Sequence, residues 1–125
     1  MAISHISKTN LKTVVITSGE SIGNSAFYGC SNLESIIISD SVTSIGVSAF
    51  NGCTSLTCIT IPDSVISIGG SAFRDCKNLN SITVPDSVTS IESHAFYNCS
   101  SLIDITIGNN VAQIGALAFE NCNNL

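Results

Sequence analysis

Apolar side chains recur along the chain at a fixed interval. Every Phe lies on it, at Phe27, Phe50, Phe73, Phe96 and Phe119, and the interval is 23 residues. Cys30, Cys53, Cys76, Cys99 and Cys122 each follow a Phe by three places, and Leu33, Leu56, Leu79, Leu102 and Leu125 each follow a Cys by three. Five such triplets in one register establish an internal repeat, and a period of this length is the signature of a stacked array. Leu11 opens the series 22 residues before Leu33, because the stretch Thr17 to Ser21 is one residue shorter than its counterparts. A turn absorbs that deletion with least disturbance.

Within one unit the apolar slots predict three parts. Leu56, Ile59 and Ile61, like Leu79, Ile82 and Val84, place β-branched residues two apart, the period of a strand with one buried face. Pro62-Asp63-Ser64, Pro85-Asp86-Ser87 and Gly108-Asn109-Asn110 then mark a turn, since Pro ends ladder donation and Asp or Asn closes Asx-turns. A second extended piece follows, Val65 to Ile68 and its equivalents. Ala72, Phe73 and Cys76, at spacings of one and three, fit a single helical turn. Gly precedes that turn at 23, 46, 69 and 115, but Glu92 holds the fifth place, so the slot does not require a positive φ. One unit buries too few side chains to offset the entropy of ordering its backbone. Stacking supplies the missing contacts, with like slots in columns and strands in a ladder. The result is a solenoid. Bulkier helical turns behind a row of short strands would make the strand face concave.

Composition narrows the possibilities. Of 125 residues, 44% are apolar and 10% charged, which excludes disorder through self-repulsion. Four Lys plus Arg against nine Asp plus Glu leave a net charge of -5, the wrong sign for a phosphate-binding surface, so nucleic acid is not an expected partner. No apolar stretch approaches the roughly 18 residues of a bilayer span, so this segment is not expected to insert into a membrane. Residues 1–10 show neither the basic region nor the apolar block of a secretory leader.

The unit L-x-x-I-x-I-P-x-S-V-T-S-I-G-x-x-A-F-x-x-C, nearly verbatim in SIGVSAFNGC at 44–53, is similar to the BspA-like class of leucine-rich repeats, found in surface proteins of anaerobic bacteria and some protozoan parasites. The resemblance covers Leu11 to Leu125. It implies an α/β leucine-rich repeat solenoid, with a parallel sheet on the concave side and short extended or single-turn helical segments on the convex side. It also implies a cell-surface or secreted protein that attaches to host cells or to matrix proteins such as fibronectin. It brings no catalytic residues and no cofactor.

Strand alternation names the side chains that a protein ligand would meet. Thr13 and Val15, Ser35 and Ile37, Cys58 and Thr60, Ser81 and Thr83, and Asp104 and Thr106 lie between buried positions and point outward. This face is rich in Ser and Thr and poor in charge. Val15 and Ile37 are its apolar break, either contact points or ordinary strand formers. Other chemistry finds little support. Six Cys could be a disulfide framework, yet five occupy one apolar slot where a small buried hydrophobe suffices, so buried thiols are expected. The tightest pair, Cys53 and Cys58, has four residues between, too open for a zinc knuckle. Cys58 itself is expected to be exposed, with no base nearby to activate it. Asp40, Asp63 and Asp86 recur at the turn with Asn109 in the next unit, and read as turn residues rather than as a calcium ladder. His94 fills a slot held by Ser25, Ser48 and Ser71 and reads as a surface variant. With His5 in the degenerate leader, no Ser gains a base and an orienting acid.

Residues 1–10 are expected to be a worn half-repeat covering the first of about five units that run from 11 to 125. No cap follows Leu125, so self-association through an open end is expected. Two functions remain: a non-catalytic protein-binding module, adhesive and extracellular by resemblance, or a structural spacer or intracellular scaffold built from the same repeats.

Overall fold

The computed structural model describes residues 10–125. The half-repeat expected over residues 1–10 lies outside the described residues, Asn10 excepted. From Leu11 onward each unit contributes two short strands. In chain order they are β1 (Thr13–Val15), β2 (Ser21–Ile22), β3 (Ser35–Ile37), β4 (Ser44–Ile45), β5 (Cys58–Thr60), β6 (Ser67–Ile68), β7 (Ser81–Val84), β8 (Ser90–Ile91), β9 (Asp104–Ile107) and β10 (Gln113–Ile114). Every pairing is parallel and joins a residue to its equivalent in the next unit. Val15 lies beside Ile37, Ile45 beside Ile68 and Ile82 beside Ile105. The repeat length is therefore the register of the sheets, as expected where a one-residue slip would turn the buried side chains outward.

Two ladders result. The two-residue strands form one unbroken sheet, in the order β10-β8-β6-β4-β2. The longer strands line another side as a β1-β3 pair and a β5-β7-β9 trio, with the ladder interrupted between β3 and β5. Both sheets close on a single core. Phe27, Phe50, Phe73 and Phe96, with the Leu, Ile, Val, Ala and Cys of the middle units, are almost wholly removed from water. The rings of successive units stack nearly parallel, 5.3 to 5.4 Å between centroids. Like groups on like groups give the core continuous files rather than an irregular jigsaw.

The remaining side of the unit corrects the expectation of single-turn helices, for essentially no helix forms there. Ser48, Phe50 and Gly52 donate their N–H groups to Gly70, Ala72 and Arg74 of the next unit at 2.8 to 2.9 Å, whereas Ala49, Asn51 and Cys53 donate to carbonyls three residues back at 3.2 Å. An α-helix needs each N–H for a carbonyl four residues back in its own segment. Here every second one is taken by the neighbouring unit. Alternate donors can point along the solenoid because two slots per unit adopt left-handed backbone. One holds Ser25, Ser48, Ser71, His94 and Leu117, with φ of 57 to 60°. The other holds Gly29, Gly52, Asp75, Asn98 and Asn121, the residue types that tolerate this region best. Parallel β-solenoid is thus the architecture, and a row of tight turns replaces the bulky helices on which the expected concavity of the strand face depended.

The Gly slot at 23, 46, 69 and 115 does have negative φ, and its requirement is space. A Cβ on Gly69 would lie 2.8 Å from the backbone of Gly46 and Val47. At Glu92, the unit that carries a side chain there, the N–H bond to Ile68 lengthens to 3.1 Å, against 2.8 Å for Gly46 to Ile22 and Gly69 to Ile45.

Candidate protein-contact face

Because β1, β3, β5, β7 and β9 bury alternate residues, the rest form two files on one surface. Thr13, Ser35, Cys58, Ser81 and Asp104 make the first; Val15, Ile37, Thr60, Thr83 and Thr106 make the second. All ten are exposed, and neighbours within a paired ladder stand about 4.8 Å apart. Val15 and Ile37 are direct register partners and are 59% and 64% exposed, so two apolar side chains share one patch at the N-terminal end of the face. Ile103, 66% exposed, adds an apolar group beside Asp104 at the other end. Sequence reading passed over it, although its slot is otherwise held by Lys12, Glu34, Thr57 and Asn80, and one Ile among polar equivalents was the available signal.

Between the two ends the face is indented. A shallow depression of about 360 Å³ is lined by Cys58, Thr60, Asp63, Ser81, Thr83 and Pro85, among others. It adjoins a second, of about 480 Å³, which shares Asp63, Thr83 and Pro85 and continues past Asp86 and Thr106 to Asn109. Together they form a trough across successive units, lined by Thr60, Thr83 and Thr106 of the second file and by Asp63 and Asp86 of the turn. Asp40, Asp63 and Asp86 are exposed. Asp86 reaches into the next unit, its Oδ1 accepting the Asn109 N–H at 2.7 Å. None of the three pairs with a cation among the described residues, where the ion pair found is Arg74 with Asp75 at 3.8 Å.

The other residues singled out in the sequence are scattered. Cys58 is exposed on the strand face, while Cys30, Cys53, Cys76 and Cys99 are buried, Cys122 is partly so, and none of the six is in a disulfide. The buried thiols do more than fill a small apolar slot. The Sγ–H groups of Cys53, Cys76, Cys99 and Cys122 donate to the carbonyls of Phe27, Phe50, Phe73 and Phe96 in the preceding unit, at 3.1 to 3.2 Å. Burial raises the Cys76 thiol well above the ordinary range and Cys99 to about 12, which keeps both protonated and unreactive. His94 sits half-buried on the turn side, its ring 5.4 Å from that of Tyr97, and the Arg74 guanidinium lies 4.6 Å over the same Tyr. Among the described residues, no three His, Cys, Asp or Glu side chains converge as metal ligands.

The model of the BspA type leucine rich repeat region matches residues 4–125 in six copies. The chain is similar to a leucine rich cell surface protein from Faecalibacterium prausnitzii, at 40% identity over 78% of the chain and a TM-score of 0.75. The aligned region is 26% of that structure's length, so the chain spans about a quarter of it. The leucine rich repeat protein of T. pallidum superposes over 95% of the chain and 79% of its own, with a TM-score of 0.60 at 24% identity. A leucine-rich repeat protein from Eubacterium ventriosum does so over 88% and 42%, at 0.57 and 22%. These last two likenesses concern the fold alone. No curated protein matches the chain.

Proposed function

The chain belongs to the BspA-type leucine-rich repeat family, and on that footing we propose that it is a non-catalytic protein-binding module that works at the cell surface, with the exposed face of β1, β3, β5, β7 and β9 as its contact surface. The observation that carries this reading is the pairing of Val15 with Ile37 in files otherwise made of polar side chains and Cys58, where no described residue buries them. Exposed apolar groups clustered on a rigid face are the usual anchors of a protein contact. A solenoid supports such a face without any single side chain having to order it, because each unit is held by its neighbours. The likeness to a leucine rich cell surface protein from Faecalibacterium supports the location, and adhesion to a host or matrix protein is the role that fits both.

A solid-phase assay against matrix proteins tests the reading, comparing the chain with a variant carrying Ile37→Lys and Thr60→Lys. Both positions are exposed, so the fold should survive. Binding is expected to fall at least about tenfold, since like-sized losses follow when an apolar anchor is replaced by a charge. Undiminished binding would reject this face.

A further inference from the structure

We propose that the partner docks on this face through an extended cationic segment, with apolar residues of the segment on Val15 and Ile37 and its Lys or Arg side chains against the rim formed by Asp40, Asp63 and Asp86. The proposal rests on the protein-binding reading above and adds the chemistry of the ligand. Its ground is an imbalance of charge along one edge. The turn places a carboxylate in three successive units, Asp63 and Asp86 lining the trough and exposed Asp40 one unit before them, and none is neutralised by a cation among the described residues. In those three units the outward files hold Ser35, Ile37, Cys58, Thr60, Ser81 and Thr83, none of them charged, so they do not oppose that field. A net charge of -5 adds a long-range attraction of the same sign.

The shape favours a peptide over a compact ion. From Asp40 to Asp86 is two inter-unit steps, about 10 Å, which is the reach of about three residues of extended chain. Carboxylates spread in this way do not converge on one cation, but they match successive basic side chains. The apolar pair stands on the neighbouring strand file, Ile37 in the same unit as Asp40 and Val15 one unit before it, so a segment with basic residues on one edge and apolar residues on the other satisfies both. Nucleic acid is repelled by the same rim.

A peptide alternating Lys and Val, fluorescently tagged and titrated with the whole chain, is the probe. In a first variant Asp40, Asp63 and Asp86 are all changed to Asn, which can still accept the Asn109 N–H. A second variant removes the same charge elsewhere, through Asp75→Asn, Glu92→Gln and Glu120→Gln. A third, Val15→Ser with Ile37→Ser, leaves charge untouched. The first is expected to weaken binding by about fivefold or more, and the second by less than about twofold, because screened charges outside the contact contribute little. Equal losses in the first two would overturn the proposal, showing attraction to net charge only. A loss in the third alone would also overturn it while leaving the face as a binding surface. Loss in neither the first nor the third would overturn both readings.

Discussion

A cysteine thiol in the core is held by two effects that the sequence separates poorly. Its slot asks for a small apolar group, as the recurrence at 23-residue intervals indicates, but the Sγ–H also satisfies a carbonyl lone pair of the preceding unit. That donor could not be read from spacing, because its acceptor lies 26 residues away and depends on how the units pack. It has a consequence in alkali. Folding raises the Cys99 thiol from its ordinary 9.0 to about 12, so between these values the folded chain holds a proton that the unfolded chain releases. Stability contributed by the protonated thiol is complete below pH 9 and is lost as pH rises towards 12, at up to about 1 kcal/mol per pH unit. Urea unfolding at pH 8 and pH 10.5 measures it. Cys99→Ala is expected to lose less stability between the two than the unaltered chain, and an equal loss would contradict the assignment.

At the scale of the element, the strands and the turns at Asp63-Ser64, Asp86-Ser87 and Asn109-Asn110 were legible, and the segment after the Gly slot was not. Alternation of β-branched residues such as Ile59 and Ile61 specified which side of β5 is buried, and all ten outward positions emerged exposed, because a strand's two faces follow from its sequence alone. The segment from Ala72 to Cys76 carried spacings of one and three, which suit a helical turn and a pair of tight turns equally. What decides between them is the claim of the next unit on alternate N–H groups, a non-local bond. The Gly slot shows the same dependence: its negative φ was readable from Glu92, its steric demand was not. Gly69→Ala is accordingly expected to destabilise by about 1–3 kcal/mol, as overpacking does, measured by urea titration. Gly52→Ala has room, with Gly29 Cα at 3.6 Å from the new Cβ, and meets only the strain of a φ of +79°. It should cost less, about 1 kcal/mol. The reverse ranking would mean that the units do not approach at Gly69 as described.

Across the whole molecule, each unit is stabilised by its neighbours, so protection should vary along the axis. Ile22, Ile45, Ile68 and Ile91 are at most 1% exposed, whereas Ile114 in the same column is 52% exposed. Amides bonded within the middle units, such as Phe50 and Phe73, should therefore exchange with solvent only in global opening, and Ile114 by local fraying. Hydrogen exchange read residue by residue checks this, and uniform protection through the last unit would contradict it. The face proposed for binding draws its rigidity from the same stacking, which is why a surface made mostly of Ser and Thr can hold Val15 and Ile37 in place without a local framework.

That stacking can be observed bond by bond. A scalar coupling measured across the hydrogen bond from the Phe50 amide nitrogen should connect it to the carbonyl carbon of Ala72, 22 residues ahead, with Phe27 to Ala49 and Phe73 to Ala95 alongside. Those three connections are the expected result. Couplings from the same amides to carbonyls four residues back, inside their own unit, would show helices in place of stacked turns and contradict the architecture on which the binding face depends.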